Sequence, residues 1–379
     1  MVIAIILGAL LAPFVLLIIY FRTAPRIGSN PAGERLKRIQ ALANYRDGKL
    51  HNAVPTNMNM PLSTILKVMW TMIRGEKGRE PEEPLPTVTF DRDAWERVPA
   101  YEVAICWLGH STLLIKIDGL TFLTDPVFGE RASTFSFAGP KHFAYTERIT
   151  VGQLPRIDVL LLSHDHYDHL CYETIVELVA SGKLVRTIAA LGVGAHLEKW
   201  GMAPASITEL VWWDKVEVHG VRLTFVPSRH FTGRSMINRF STLWGSFVLE
   251  GKHKRIYFGA DSGYSPTFKE LGERFGGFDL AMLECGAYSE YWPDIHMFPE
   301  ETAQAAKDLN ADPALAGQVV LMPIHWGKFA LGLHPWKESI ERVTKKAEEM
   351  KLPLLTPRIG RIVTKLDPSS SEKWWEGLK

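Results

Sequence analysis

From Tyr101 onward the chain alternates short apolar runs with polar turns, at the spacing of β-strands. Glu102 to Leu108, Leu113 to Ile117 and Leu120 to Thr124 predict three strands, and Asp118-Gly119 predicts a tight hairpin between the last two. Ile157 to Leu162 is an almost unbroken apolar run and predicts a strand buried on both faces. Further strands are expected at Leu184 to Ala190, Ile207 to Trp213, Val221 to Pro227, Trp244 to Leu249, Arg255 to Phe258, Leu280 to Glu284 and Val319 to Ile324, with Arg361 to Lys365 closing the fold. Helical patterns cover Tyr172 to Ala180, Pro266 to Phe275, Pro299 to Leu309 and Trp336 to Met350, and His196 to Trp200 reads as the end of another helix. The stretch after Asp125-Pro126 to about Pro155 has no period and predicts a long functional loop. Many antiparallel strands with interspersed helices predict two sheets packed face to face and covered by helices.

The first 100 residues have a different texture. Residues 1–21 hold no charged side chain, and about 20 apolar residues in helix span about 30 Å of hydrocarbon, which predicts a transmembrane anchor. No Lys or Arg precedes Arg22 and no clear cleavage site follows, so the anchor is expected to be uncleaved. Arg22, Arg26, Arg35, Lys37 and Arg38 follow the span, which by the positive-inside rule places the rest of the chain on the cytoplasmic face. Residues 22–99 are expected to form a basic juxtamembrane and lead-in segment, and residues 100–379 the main domain. Within the lead-in, Leu62, Leu66, Met69 and Ile73 fall at helical spacing and predict a buried or membrane-apposed helix.

Composition adds limits. At 379 residues and 46% apolar content the chain can build a large core, and a net charge of +1 gives no reason to expect a nucleic-acid partner. The charge is uneven: residues 22–80 hold eleven Lys and Arg against four Asp and Glu. Cys106, Cys171 and Cys285 are odd in number and widely spaced, which argues against both a disulfide framework and a thiolate metal site. Nothing in the sequence specifies an oligomeric state.

The chemistry is concentrated where the buried run Ile157 to Leu162 stops. His164, His166, Asp168 and His169 lie within six residues, and imidazoles and carboxylates are the ligands that a catalytic Zn²⁺ takes. Ligands so dense suit two neighbouring metals better than one. Three later strand ends also carry candidate ligands: His230 after Val221 to Pro227, Asp261 after Arg255 to Phe258, and His325 after Val319 to Ile324.

This order of ligands resembles the metallo-β-lactamase fold superfamily. The resemblance implies a four-layer αββα sandwich with two metals at one rim. His164, His166, His230 and Asp261 would serve one metal; Asp168, His169, His325 and the shared Asp261 would serve the other. Two Zn²⁺ are implied, with manganese or iron fitting some relatives. Within the superfamily the chain is most similar to N-acylphosphatidylethanolamine-hydrolysing phospholipase D and its bacterial relatives. Trp107 to Thr112 with Leu123 to Phe128, Gly139-Pro140-Lys141, Pro227 to Arg234, Leu243-Trp244-Gly245 and the lead-in Asn44 to Asn52 carry that likeness. Arg229 and Phe231 depart from the Gln and Trp expected beside His230, and His142 stands where Arg is common.

The resemblance implies a membrane-anchored hydrolase whose substrate is a phospholipid, cleaved at phosphorus by a metal-bound hydroxide. Asp125 and His296 are the further catalytic candidates, Asp125 orienting His169 or the water and His296 lying near the phosphate. His110 and Glu284 are expected to support the ligands from behind. Two alternatives stay open: a lactonase or other ester hydrolase on the same centre, and a membrane-tethered metal-binding protein without turnover.

Overall fold

The apolar runs pair into two large mixed sheets and one short hairpin. The computed structural model describes residues 12, 15, 19–20, 23–75, 77–235, 238–310 and 319–379. In chain order the strands are β1 (Tyr45–Arg46), β2 (Lys49–Leu50), β3 (Ala104–Trp107), β4 (Leu113–Ile117), β5 (Leu120–Thr124), β6 (Ile157–Leu162), β7 (Leu184–Ala190), β8 (Ile207–Leu210), β9 (Lys215–Val218), β10 (Val221–Val226), β11 (Ser246–Glu250), β12 (Arg255–Phe258), β13 (Leu280–Glu284), β14 (Val320–Ile324) and β15 (Ile362–Val363). The α-helices are α1 (Gly33–Gln40), α2 (Leu62–Arg74), α3 (Arg92–Arg97), α4 (Tyr172–Ser181), α5 (Gly194–Lys199), α6 (Thr267–Phe275), α7 (Pro299–Asp308) and α8 (Glu338–Glu349).

One sheet runs β15-β3-β4-β5-β6-β7-β8 and the other β14-β13-β12-β11-β10-β9. Side chains from both sheets meet in one continuous core, which explains why β4 and β13 are buried along their whole length and lack polar alternation. Helix α4 lies against β7, and α7 lies against β13 and β14 with α8 packed on it. Each sheet is therefore covered on its outer side.

Strand direction places the site. β5 and β6 are parallel, β12, β13 and β14 are parallel, and β10 is related to β12 through two antiparallel steps across β11. β3 is related to β5 in the same way across β4. Within each sheet, then, the strands that precede candidate residues share one direction. Their carboxyl ends form a common rim.

The expected hairpin is present, with Ile117 paired to Leu120 and Asp118 and Gly119 both at positive φ. The strand expected through Trp213 stops at Leu210. There the Asp214 carboxylate accepts the Val211 amide and Trp213 turns at a φ of 75°, and the chain crosses to the other sheet as β9. The lead-in carries structure that the sequence pattern did not announce: α1, the β1–β2 hairpin and α3. Ile39, Leu50, Leu85, Phe90 and Trp95 are buried in the same core as the sheets.

The expected N-terminal transmembrane anchor, and with it the placement of the domain on the cytoplasmic face, is corrected. Among the described residues no helix is long and apolar enough to cross a membrane. The longest helix in the lead-in, α2, has 13 residues and spans about 20 Å at 1.5 Å per residue, against about 30 Å of hydrocarbon. Most of residues 1–21 lie outside the described residues, and the four that are described include Tyr20, whose ring stacks on Phe135 and whose hydroxyl donates to the Thr134 carbonyl at 2.7 Å. Of the basic residues assigned to topology, Arg22 lies outside the described residues and Arg26, Arg35 and Arg38 have partners on the main domain. Arg26 pairs with Glu173, Arg35 with Glu198 and Glu209 at 2.7 Å each, and Arg38 approaches Glu209.

Candidate metal centre

The abrupt end of β6 delivers four ligands because the chain stays extended for three residues and then turns. His164 and His166 leave one side, while Asp165 between them points the opposite way into the protein. The turn at Tyr167 closes with the His169 and Leu170 amides donating to the His166 carbonyl, and this brings Asp168 and His169 back toward the same point.

All seven expected ligands converge. The Asp261 Oδ2 atom lies 3.1 Å from His169 Nε2, 3.2 Å from His325 Nε2, 3.6 Å from His230 Nε2 and 3.9 Å from His164 Nε2. Asp168 Oδ2 is 3.4 Å from His169 Nε2 and 3.3 Å from His325 Nε2. His166 Nδ1 lies 3.0 Å from His164 Nε2 and 3.2 Å from His230 Nε2. Donors placed tetrahedrally about 2.0–2.1 Å from a zinc are themselves about 3.3 Å apart. The two groups His164, His166, His230, Asp261 and His110, Asp168, His169, His325 are each compact enough for one ion, and Asp261 lies at their junction.

The ring orientations are fixed from behind, which leaves lone pairs facing inward. His164 Nδ1 meets Ser163 Oγ at 2.8 Å, and that hydroxyl donates to Asp125 Oδ2 at 2.5 Å. His169 Nδ1 donates to Asp125 Oδ2 at 2.8 Å, and His230 Nδ1 donates to the Ile295 carbonyl at 2.9 Å. Buried His169 Nε2, His325 Nε2 and Asp261 Oδ1 have no hydrogen-bond partner. Buried polar atoms in proteins generally find partners, so a group of orphans on imidazoles and a carboxylate at one point fits a divalent cation.

Charge tells the same story. Burial works against protonated imidazole at every histidine here, and it lowers His166 and His230 to about 3. At His169 and His325 the carboxylates overcome burial: Asp261 and Asp168 hold His169 well above the ordinary range and raise His325 to about 10. Burial disfavours ionised Asp168 and Asp261, yet the imidazoles of His169 and His325 keep both well below the carboxylate range. With no cation present, protons on His169 and His325 balance the two carboxylates; a divalent ion would displace them and meet the freed Nε2 lone pairs.

The supporting candidates have distinct partners. Asp125 is fully buried, accepts from the Ser163 amide and hydroxyl and from His169, and so touches the cluster only through those two residues. His110 Nε2 meets Asp168 Oδ2 at 2.9 Å, and its ring lies over His325 with centroids 3.9 Å apart. Glu284 accepts the Met297 amide at 2.9 Å and meets His296 Nδ1 at 3.2 Å, which leaves His296 Nε2 directed to the group formed by Asp261 and His325. Burial raises Glu284 well above the carboxylate range. His110, Asp125, Ala260 and His325 all sit at positive φ without being glycine. Strain of about 1–3 kcal/mol per such residue is typical of sites held by their surroundings.

Asn52, Asp165 and Phe231 support the centre, though none of them was expected as a site residue. Asn52 makes two hydrogen bonds with the His230 backbone, donating to its carbonyl at 2.8 Å and accepting its amide at 3.0 Å. Asp165 accepts from Thr242 at 2.8 Å and from the Gly233 amide at 2.8 Å and meets His196 at 3.3 Å. Phe231 packs edge-on against His166 with centroids 4.4 Å apart. Strand alternation signals Asp165, whereas Asn52 lies over 170 residues from its partner and has no local signal. Arg229 serves the lead-in: its guanidinium pairs with Asp294 and donates to the Pro55 and Tyr264 carbonyls.

A rim of inward-facing histidines and aspartates on a two-sheet fold defines a class, and comparison with known families agrees. The model of the beta-lactamase superfamily domain matches residues 121–326, more than half of the chain, and the chain belongs to this superfamily of metal-dependent hydrolases. More particularly, it is 37% identical over 354 residues to an uncharacterized protein of Mycobacterium tuberculosis, covering 93% of this chain and 92% of that one. It is also 31% identical over 260 residues to N-acyl-phosphatidylethanolamine-hydrolyzing phospholipase D 1 of Caenorhabditis elegans, covering 65% of this chain and 70% of that enzyme. Among solved structures, CmlA of Streptomyces venezuelae, a diiron β-hydroxylase, superposes with a TM-score of 0.50 at 20% identity over 70% of this chain and 54% of its own.

Proposed function

We propose that the chain is a phospholipase D-type phosphodiesterase that cleaves N-acylphosphatidylethanolamine to N-acylethanolamine and phosphatidic acid at a pair of divalent metal ions. The observation that carries this reading is the meeting of two ligand groups on one Asp261 oxygen, in a chain similar over most of its length to an enzyme named for that reaction. When bound, two metals at such a centre supply a hydroxide nucleophile near neutral pH and neutralise charge on the phosphoryl oxygens. His164, His166, His230 and Asp261 would hold one ion, and Asp168, His169, His325 and Asp261 the other. The N and O donors suit zinc, and the same set is within the range of iron or manganese.

The remaining residues aim and supply protons. Asp125 keeps His169 in the tautomer whose Nε2 lone pair faces inward, and His110 fixes Asp168. Glu284, kept protonated by burial, donates to His296 Nδ1. That leaves an N–H at His296 Nε2 to serve the alkoxide leaving with the ethanolamine.

A lipid substrate is supported by α2. Leu62, Leu66, Met69 and Trp70 of this helix are exposed, Trp70 by 63%, and its only ionisable residues are Lys67 and Arg74. A short helix of this kind lies in a lipid surface and does not span it. Lys67 sits over the Tyr291 ring at 5.3 Å and so places the helix beside the loop that carries His296.

The test is an assay of metal-loaded protein on vesicles containing N-acylphosphatidylethanolamine, beside a lactone and a generic phosphodiester. Release of N-acylethanolamine and phosphatidic acid, abolished in His166→Ala, is the expected result. Turnover of the lactone alone would overturn the lipid reading, and full activity in His166→Ala would overturn the metal mechanism.

A further inference from the structure

A groove of about 790 Å³ opens on the flank of the metal centre, between the β1–β2 hairpin with the strand that follows it and the turn at Arg239-Phe240. Its cationic lining residues are Arg46, Lys49 and Arg239, joined by His51, and it has no carboxylate in its lining. Asp47, at the tip of the hairpin, is exposed and does not line it. Arg26, Arg35, Arg38 and Arg229 all have carboxylate partners, whereas Arg46, Lys49 and Arg239 have none among the described residues.

Lys49 and Arg239 share an aromatic floor, and Arg46 is the cross-strand neighbour of Lys49 in the β1–β2 hairpin. Lys49 lies over the Phe240 ring at 5.9 Å, and the Arg239 guanidinium lies 5.5 Å from Phe240 and 4.9 Å from Phe231. Val54, Pro55 and Met58 extend the apolar side of the groove toward α2. Like charges gathered without an acid repel one another, so an anion between them gains from all three at once. Two guanidinium forks and an ammonium match the several oxygens of a phosphate monoester, whose charge near neutral pH approaches −2.

We propose that this groove is a second ligand site, separate from the metal centre, that binds a phosphate monoester. The phosphate is supplied either free or on a lipid headgroup, whose glycerol and first methylenes would lie along Phe240, Val54 and Met58. The site is mechanically tied to the metals, because Asn52 both lines the groove and holds the His230 backbone by two hydrogen bonds. Phe231 links Arg239 to His166 in the same way. The proposal does not need the phosphodiesterase reaction, since binding is read without turnover.

The test compares metal-loaded wild type with the triple variant Arg46→Gln, Lys49→Gln, Arg239→Gln and with Arg186→Gln, an exposed charge on β7 away from the groove. Calorimetric titration with inorganic phosphate is run beside sedimentation with phosphatidylcholine vesicles made with and without phosphatidic acid. The triple variant is expected to lose affinity by roughly tenfold or more, since each charged hydrogen bond removed is worth about that factor. Arg186→Gln is expected to bind as wild type, and binding to pure phosphatidylcholine is expected to be equal in all three proteins. Phosphate bound at the metals is retained by the variant, so the groove is the component that disappears. Loss of inorganic phosphate binding assigns the site to phosphate itself; loss confined to phosphatidic acid vesicles assigns it to the lipid headgroup. Superimposable isotherms and sedimentation for wild type and triple variant, with matching melting temperatures, would overturn the proposal. So would an absence of both kinds of binding in wild type.

Discussion

Lys328 is buried beside the rim, and among the described residues its ammonium meets the Leu108 carbonyl at 3.4 Å and the Phe128 ring at 5.5 Å. Burial lowers it to about 7, while an unfolded lysine titrates near 10.4. Between those values the unfolded chain binds one more proton than the folded chain, so this residue makes stability rise with pH from about 7 to about 10. Below about 7 both states are protonated and the cost of the buried charge is constant. Lys328→Met is expected to raise the melting temperature at pH 7 and to remove a slope of at most about 1.4 kcal/mol per pH unit over that window. Parallel stability curves for the two proteins between pH 7.5 and 9.5, set as roughly the middle of the window, would show the amine is not held neutral. The same scale shows what sequence reading reaches. His164 to His169 are conspicuous because six consecutive residues hold four candidate ligands, whereas Lys328, three residues past His325, looks like any loop lysine until burial is known.

Two elements explain where the pattern succeeded and failed. Most strands of the sheets are buried on both faces or paired through a tight turn, so apolar runs and Asp118-Gly119 announce them to within a few residues, whereas the half-exposed β9 has no apolar run and was not expected. The lead-in is held by long-range contacts instead. Asn52 reaches His230, Asn57 donates its amide to Asp294 at 2.7 Å, and Arg35 reaches Glu198 and Glu209. Such contacts leave no period in the sequence, and part of the basic excess that suggested a membrane topology meets acids on the main domain, through Arg26, Arg35 and Arg38. Helix α2 was legible, and its exposed stripe carries a prediction at this scale. Leu66→Glu with Trp70→Glu is expected to raise the apparent KM on lipid vesicles by roughly tenfold or more, because two large apolar side chains lose about 1.5–3 kcal/mol each of interfacial burial. Turnover of a soluble short-chain substrate is expected to be unchanged. Equal losses on vesicles and soluble substrate would mean that α2 serves the fold or the site and not the lipid surface.

At the scale of the molecule, the site exists because strands that run in one direction within each sheet stop at one rim. Residues from Asp125 to His325, on the ends of β5, β6, β10, β12 and β14, are brought to within hydrogen-bonding distance of one another or nearly so. The order of candidate ligands was visible in the chain; that four of their imidazoles meet around one Asp261 oxygen, with His166 and Asp168 beside them, required the two sheets to share a core. The central claim is that this rim is a two-metal centre, and the most direct measurement is elemental analysis of the purified protein by mass spectrometry against its own concentration. The account predicts two equivalents of a divalent transition metal per chain in wild type, with Asp261→Ala losing both because each ligand group depends on that carboxylate. One equivalent or none in a folded, metal-replete wild-type preparation, or two retained in Asp261→Ala, would contradict it.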